Sequence, residues 1–484
     1  MAINKHLMIK RKYMKFKIHK LARIEDATFE IKDLTVFVGK NSTNKSYSAH
    51  IVYILNKILS QFNRRNNPNN LFLKFLNSNL GKEIKSITDG LDRKVNLNEI
   101  PMQIDHDEFE WEEVREVIFN IEEFEFDKLI LEVHDFLSQW LINEINKSFN
   151  TNSKILKSIE FDNVTINKEK LFKEKTISIR SSEEELDSIR FLQYLFKIIS
   201  SEYFQQKASS KEFYFPASRT GFVLAFDEIV SGVLRDRFGG QPTATKLTEP
   251  TIDFISGFSD IKSGKFGDEI DLLNFFSTTK SDKASKKIMK NLFEFIENRI
   301  IKGKILEEKK QENYTQFYLQ PKNSEKLELH LTSSATVELL PLVIFLKHFS
   351  KIKDRLLVIE EPEAHLHPKA QIEMARLIVM LVNAGAKVLI TTHSDYILSE
   401  LSNCIKLSEA NSKDVNTYLD KHELSKETII DKDRVSAYLF KDMDGNTEVK
   451  DLTIDKYGIA NDNFDDILDE LLDRTEEINE ILES

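Results

Sequence analysis

The sequence has only one cysteine, Cys404, among its 484 residues. A single cysteine excludes an intramolecular disulfide framework and a cysteine-rich zinc site, and it suits a reducing compartment. No apolar stretch reaches the roughly 20 residues that a membrane-spanning helix needs. The first twenty residues carry seven lysines and arginines without the apolar segment of a signal peptide. These absences predict a cytoplasmic protein without a membrane partner.

Glycine is scarce too, with 14 residues, and neither sign of charge dominates strongly. The chain has 68 Lys and Arg against 79 Asp and Glu, which gives a formal charge of -11. That total gives no support for nucleic-acid binding, although a local basic groove is compatible with it. With 41% hydrophobic and 30% charged residues, the composition is typical of a folded protein with a core. The length allows about two to four domains.

Apolar strands and helices alternate in two stretches of the chain. Residues 15–38 predict two strands, and helical spacing follows them. Later, LLVIEEP and KVLITTH are apolar strands separated by a predicted helix over 368–383. This succession favours a parallel sheet that is covered on both faces. The predicted fold class is therefore α/β, with a mixed sheet and a large helical insertion.

The predicted boundaries follow changes in composition. The Phe-, Glu- and Lys-rich segment 71–205 is the predicted helical insertion. Its acidic run, Asp105–Glu125, is either a docking face for a basic partner or, more simply, a solvated helical face. The tail predicts two strands joined at the hairpin signal MDGN, and then an acidic helix. The predicted parts are 15–60, 71–205, 206–410 with a helical sub-insertion near 223–302, and 411–484.

A candidate phosphate-binding loop, GKNSTNKS, lies between a buried strand and a helix. In that context backbone N–H groups and the helix N-terminus can bind phosphate oxygens. Asparagine stands where the full pattern has a second glycine, but it is the non-glycine residue best able to take left-handed backbone angles. A polar strand-to-helix turn without a ligand is the alternative. The predicted nucleotide-binding residues are Gly39, Lys40, Asn41, Ser42, Thr43, Asn44, Lys45 and Ser46, with Lys45 on the β- and γ-phosphates and Ser46 on magnesium.

Two adjacent carboxylates, Glu360 and Glu361, end the apolar strand LLVIEEP. One carboxylate can hold magnesium while the next polarises an attacking water, a division that suits phosphoanhydride hydrolysis. Glu360 is accordingly the predicted second metal ligand, and Glu361 and Lys45 are predicted catalytic residues. His393 ends the strand KVLITTH, where it is predicted to reach the γ-phosphate and hold the attacking water. Its alternative is a structural histidine at a strand end.

Two serines, Ser333 and Ser334, open a predicted helix in LTSSATVELLPL. They are interpreted either as N-caps or as a signature segment that grips the γ-phosphate of ATP held by a partner subunit.

The order and spacing of these motifs resemble an ABC-type ATPase of the SMC-like and OLD-like (overcoming lysogenization defect) group. EEPEAHLHP and TTHSDYIL are frequent wordings of its acidic and histidine motifs, and PASR, residues 216–219, resembles another recurring segment. The resemblance implies an ABC-type P-loop ATPase head that uses ATP and Mg²⁺. It also implies a homo-oligomer in which two nucleotides lie between head-to-tail subunits. Arg219 is then a candidate for a phosphate or interface contact, with a surface ion pair as the alternative.

Two departures from the group's pattern are reasons for slow or even absent hydrolysis, although hydrolysis remains the prediction. Asn44 replaces the loop glycine, and Ala335 stands where the signature has glycine after two serines. OLD-type nucleases also carry a C-terminal Toprim domain, for which the residues after His393 are too few.

The resemblance therefore predicts an ATPase subunit similar to those of the Septu and PARIS anti-phage systems, in which a separately encoded effector such as a nuclease acts. DNA or a phage protein is a further candidate partner. The alternatives are an SMC-like DNA repair or maintenance ATPase, and an ATP-dependent scaffold that does not hydrolyse.

Overall fold

The computed structural model describes residues 13–65, 71, 74, 75, 77, 93–103, 111–120, 126–151, 154–161, 176–181, 188–203, 211–217, 219–226, 229, 247–262, 281–311, 314–348 and 352–460. The predicted acidic terminal helix, after residue 460, lies outside these residues, as do parts of the acidic run near 105–125.

The strands are β1 Met14–Leu21, β2 Ile24–Ile31, β3 Leu34–Gly39, β4 Arg93–Gln103, β5 Trp111–Asn120, β6 Leu156–Phe161, β7 Thr176–Ser181, β8 Lys211–Phe215, β9 Gly303–Gln311, β10 Tyr314–Pro321, β11 Leu327–Glu328, β12 Arg355–Glu360, β13 Lys387–Thr392, β14 Val435–Met443, β15 Asn446–Asp451, β16 Ile454–Asp455 and β17 Gly458–Ile459. The α-helices are α1 Lys45–Arg65, α2 Phe126–Ser148, α3 Ser188–Tyr203, α4 Arg219–Leu224, α5 Glu249–Lys262, α6 Ser281–Phe295, α7 Ser334–His348, α8 Pro368–Asn383, α9 Asp395–Glu409 and α10 Ser412–Lys421.

The central feature is a nine-stranded mixed sheet in the order β6-β1-β2-β15-β14-β3-β13-β12-β8. Strands β14, β3, β13, β12 and β8 are parallel to one another, whereas β14 pairs antiparallel with β15 and β1 pairs antiparallel with β2 and β6. Every residue of β3 is buried, and in β12 and β13 only the first residue is not fully buried. Such continuous apolar strands form when helices cover both faces. The α/β fold class with a mixed sheet is thus confirmed.

Alternate residues of β3 point to different layers. Phe37 packs in the core shared with α1, α2 and α3, whereas Val36 and Val38 pack in the core shared with α5 to α9. The period of two along a strand sends successive side chains to opposite faces. Helices α1, α2 and α3 therefore cover one face of the sheet, and helices α5 to α9 cover the other.

The N-terminal strand prediction is wrong in number. Residues 15–38 contain three strands, because β1 and β2 form an antiparallel hairpin. Lys20 and Ala22 take positive φ angles at its turn. No glycine, proline or asparagine marks this turn in the sequence. The alternating pattern of the two strands therefore resembles that of one long strand.

The predicted helical insertion, 71–205, is only partly helical. Helices α2 and α3 lie in it, but β4, β5 and β7 form a separate antiparallel sheet, and β6 extends the main sheet. The helix expected across Trp111–Asn120 is therefore wrong. Strand β5 pairs on both sides, and its β-branched residues suit a pleated surface better than a helix. In 223–302 the long described elements are helices, as predicted.

Strands β9, β10 and β11 form a separate small sheet. The predicted tail hairpin is confirmed, since β14 and β15 pair antiparallel on either side of the MDGN turn. Asp444 and Gly445 both have positive φ angles at that turn, as a two-residue hairpin loop requires.

Gly39 ends β3 where β14 passes very close. A Cβ atom on Gly39 would lie 2.3 Å from the carbonyl oxygen of Phe440, and the φ angle of Gly39 is +150°. Both facts exclude a side chain here. The glycine therefore lets the loop after β3 leave the sheet beside β14.

Candidate functional site

The carboxyl ends of four parallel strands meet at one edge of the sheet. Gly39 in β3 lies opposite Phe440, Val38 pairs with Thr392 in β13, and Glu360 in β12 pairs with Thr391. The loop after β3, the acidic pair after β12 and His393 after β13 consequently share this edge. In open α/β sheets, ligands bind outside the carboxyl ends of the strands.

The loop of residues 39–46 is shaped by two left-handed positions. Ser42 and Asn44 both have a φ angle of 65°, and the Thr43 hydroxyl donates to the Lys40 carbonyl over 2.8 Å. Arg23 from the β1–β2 turn donates to the Ser42 carbonyl over 3.1 Å. Helix α1 starts at Lys45. Asn44 thus takes a left-handed backbone conformation, which explains why the full phosphate-loop pattern has a glycine at this position.

We expect Asn44→Gly to retain nucleotide affinity and Asn44→Val to lower it about tenfold or more. A left-handed conformation costs an ordinary L-residue about 1–2 kcal/mol, and a β-branched side chain is the least tolerant. The measurement is titration of each purified variant with a fluorescent ATP analogue in the presence of magnesium. Equal affinities for the two variants would contradict this account of the loop.

Lys45 lies inside the loop. Its ammonium donates to the carbonyl oxygens of Gly39 and Lys40, both over 2.6 Å, and the side chain is buried. Burial lowers the pKa of Lys45, while the carboxylates of Glu361, Glu363 and Glu360 act in the opposite direction. The cation therefore lies between the loop backbone and the acidic strand end.

Glu360 offers one carboxylate oxygen to the site. Its Oε2 accepts from the backbone N–H of Ala217 over 3.2 Å, whereas Oε1 is buried without a hydrogen-bond partner in the described part of the chain. Burial, followed by the charge of Glu360, raises the pKa of Tyr214 well above its usual value. An orphaned buried carboxylate oxygen fits a cation ligand.

A magnesium ion fits this donor set. Within the described ranges, no three His, Cys, Asp or Glu side chains converge as a metal site. Magnesium needs no such cage, because it usually takes one or two protein oxygens and completes its shell with phosphate oxygens and water. The Glu360 carboxylate and the exposed Ser46 at the start of α1 are oxygen donors of this kind.

Glu361 and His393 face the open side of the edge. Glu361 has a φ angle of 41°, and its backbone N–H donates to the Thr391 carbonyl over 2.9 Å. His393 Nδ1 lies 3.9 Å from Glu361 Oε1, and the two side chains are 45% and 33% exposed respectively. Both groups can thus meet a ligand that approaches from solvent.

Glu363 was not predicted as a site residue. Its Oε1 accepts from the Thr392 hydroxyl and from the His393 backbone N–H, both over 2.8 Å. The carboxylate is 4% exposed and lies 3.2 Å from His393 Nδ1. The sequence feature that could have indicated Glu363 is its position as a third acidic residue, two positions after Glu361. It lies next to a turn that returns the chain towards the strand ends.

Arg219 is buried behind the site rather than exposed on it. Its guanidinium donates to the carbonyl oxygens of Glu360 over 2.7 Å and Pro216 over 2.9 Å, and Nη2 lies 2.8 Å from Glu338 Oε1. Arg219 and Glu338 are 2% and 1% exposed. The alternative of a surface ion pair is wrong, because the pair is buried. The guanidinium that was a candidate for a phosphate contact is hydrogen bonded to these protein acceptors instead.

Ser333 and Ser334 lie at the start of α7, and both are exposed. The Ser333 hydroxyl accepts from the Thr336 backbone N–H over 3.3 Å, which agrees with the N-cap interpretation. Across the residues that the structure covers, neither serine hydrogen bonds to the 39–46 loop or to the acidic pair. The structure does not bring these serines into the site of their own chain.

Cys404 is buried in α9, and burial raises the pKa of its thiol to about 12. None of the helices described is both long and apolar enough to cross a membrane.

A mixed α/β sheet that carries a phosphate-loop motif, an acidic strand end and a histidine at one edge defines the class of P-loop ATPases. The chain belongs to the family of the AAA ATPase domain, whose profile matches residues 14–398. No curated protein sequence matches the chain.

Several solved structures have a distantly similar shape. One is an Smc head bound to the C-winged helix domain of ScpA, with 12% identity, a TM-score of 0.37, and coverage of 92% of this chain and 98% of that one. A second is an Smc head with an extended coiled coil bound to the C-terminal domain of ScpA, from Pyrococcus furiosus, with 11% identity, a TM-score of 0.32 and coverage of 96% and 99%. A third is the SMC head domain of Thermotoga maritima, with 9% identity, a TM-score of 0.28 and coverage of 92% and 100%. Similarity at this level assigns no function.

Proposed function

We propose that this protein binds ATP with magnesium at the edge described above and hydrolyses it. The observation that carries the proposal is the meeting of Lys45, Glu360, Glu361 and His393 at the carboxyl ends of three parallel strands, in a chain of the AAA ATPase domain family. Phosphoryl transfer needs positioning and charge stabilisation above all, and these residues supply both.

The residues divide the work in the following way. Backbone N–H groups of 39–46 and the ammonium of Lys45 bind the β- and γ-phosphates. Ser46 and Glu360 would hold magnesium, which would supply neutralisation of the charge that develops on the phosphate oxygens. Glu361 accepts a proton from the attacking water, and His393 contacts the terminal phosphate. Arg219 holds the backbone after β12 and β8 in place instead of touching nucleotide.

Lys45→Ala tests the proposal directly. We expect wild-type protein to hydrolyse ATP, and we expect Lys45→Ala to lose at least tenfold in magnesium–ATP affinity and nearly all turnover, because a buried cation at the loop is removed. Affinity is measured by calorimetry and turnover by phosphate release. Lys413→Ala, an exposed lysine on α10, is the control and should match wild type. Absence of ATP binding by wild-type protein would overturn the proposal.

We further propose that two copies assemble head to tail around two nucleotides, with Ser333 and Ser334 of one copy facing the γ-phosphate held by the other. The exposure of both serines at a helix start supports this arrangement, since helix N-termini bind anions. Doubling of the mass in solution on addition of ATP, and its loss in Ser333→Arg, tests the assembly. Stable assembly on ATP without turnover would favour the scaffold alternative.

The biological role that we propose is control of a separately encoded effector such as a nuclease in anti-phage defence, in the cytoplasm. This rests on the wording of EEPEAHLHP and TTHSDYIL, which is an analogy of motifs and not of measured activity. The test is co-expression with a nuclease encoded beside its gene, with release or activation of the nuclease measured as nucleotide is exchanged. DNA and phage proteins are further candidate ligands for the same assay.

A further inference from the structure

Glu363 stands out because nothing in the proposed division of work uses it. It is buried at 4% exposure, and burying a carboxylate without strong partners is costly. Oε1 nevertheless accepts two hydrogen bonds at 2.8 Å, both from the Thr392–His393 segment. Oε2 has no hydrogen-bond partner in the described residues. A carboxylate in this position needs a function that a neutral side chain would not serve.

The contacts of Glu363 are concentrated on the segment that carries His393. The Thr392 hydroxyl and the His393 backbone N–H fix where β13 ends, and Nδ1 of the same histidine lies 3.2 Å from Oε1. A carboxylate this close to Nδ1 favours the proton on that nitrogen, and the two 2.8 Å hydrogen bonds restrain the backbone that carries the ring. Nε2 is then the ring nitrogen that is available to a ligand on the open side.

We infer that Glu363 is the positioning residue for His393, directing Nε2 towards the terminal phosphate of bound ATP; this inference rests on the proposed ATP site. The same logic operates wherever a buried acid orients a histidine whose other nitrogen meets the substrate. Glu361 cannot fill this role, because it is 3.9 Å from Nδ1, is one third exposed, and is needed for the attacking water. ATP has a terminal phosphate that ADP lacks. Loss of Glu363 should therefore weaken the binding of ATP and not that of ADP.

The test compares affinities for ATPγS and ADP, each with magnesium, by calorimetry. We expect Glu363→Gln to weaken ATPγS binding about tenfold while ADP affinity changes less than about twofold, and to lower kcat about 10–100-fold, as loss of an orienting acid typically does. His393→Ala should show the same selective loss. The double variant should be no worse than His393→Ala alone, because residues that act through one another are not additive.

Glu373→Gln is the matched control, since Glu373 is another buried glutamate with an oxygen that lacks a partner in the described chain. It pairs with Arg376 within α8 over 2.9 Å and should leave both affinities unchanged. The inference would be overturned if Glu363→Gln left the ratio of ATPγS affinity to ADP affinity unchanged. It would also be overturned if Glu363→Gln caused its full loss of affinity in the His393→Ala background. Failure of wild-type protein to bind either nucleotide would instead overturn the ATP site itself.

Discussion

Replacing Glu361 by glutamine is expected to lower kcat for ATP hydrolysis by about 10²–10⁴-fold, the usual contribution of a general base. The amide keeps the shape of the side chain but cannot accept the proton of the attacking water. Glu361 lies at the open edge, one third exposed, and its backbone is fixed by Thr391. Phosphate release under saturating ATP measures the effect.

Nucleotide affinity distinguishes this result from damage to the site. Glu361→Gln should bind magnesium–ATP at least as tightly as wild type, because only the proton acceptor is removed. A variant that binds but does not turn over should also accumulate the ATP-bound assembly, measured as mass in solution. Glu373→Gln again serves as a control for the loss of one carboxylate. Normal turnover by Glu361→Gln would show that another group activates the water.

Arg219→Met is expected to destabilise the fold by about 3–5 kcal/mol, the typical effect of leaving one member of a buried ion pair without its partner. Glu338 on α7 is 1% exposed and would be left without its charged partner at a buried position. The carbonyl oxygens of Pro216 and Glu360 would also lose their donor. The free energy of unfolding is obtained from urea titration followed by circular dichroism.

Two further variants make this expectation specific. Arg219→Met combined with Glu338→Gln should recover part of the stability, because the unpaired charge is gone and the amide oxygen can still accept from Thr220, whose N–H lies 2.8 Å from Glu338 Oε2. Lys432→Met removes an exposed ion pair with Glu409 and should leave the urea midpoint unchanged. If Arg219→Met behaved like Lys432→Met, the pair would not be a structural link between β12 and α7.

Local patterns were sufficient for much of this protein. The strands 34–38, 356–360 and 387–392 are mostly apolar segments, which favour a sheet covered on both faces, and each leads into a loop that begins with a glycine or a polar residue. Because the carboxyl ends of parallel strands share one edge, this alone indicates a site where the loop, the acidic pair and His393 meet. The left-handed conformation of Asn44 was also predictable, because it depends on the residue type at that position.

Other features depended on contacts between distant parts of the chain. Strand β5 has helical spacing in sequence, and only its pairing with β4 and β7 makes it a strand. The turn between β1 and β2 contains no turn residue, and pairing of the two strands forms it. Secondary-structure propensity is a weak preference that tertiary hydrogen bonding readily overrides.

Periodicity and motif order are local properties of the chain, and they were enough to predict the α/β fold class, an ATPase of the P-loop type and a candidate site at one edge of the sheet. The surroundings of Arg219 and Glu363, in contrast, depend on contacts that form only in the folded chain. Whether an arginine meets phosphate or protein depends on which acceptors surround it, and Arg219 is surrounded by carbonyls from 216 and 360 and by the carboxylate of Glu338. Likewise, Glu363 contacts His393 because β12 and β13 are neighbours in the sheet, a relation between residues 30 positions apart that no local pattern encodes.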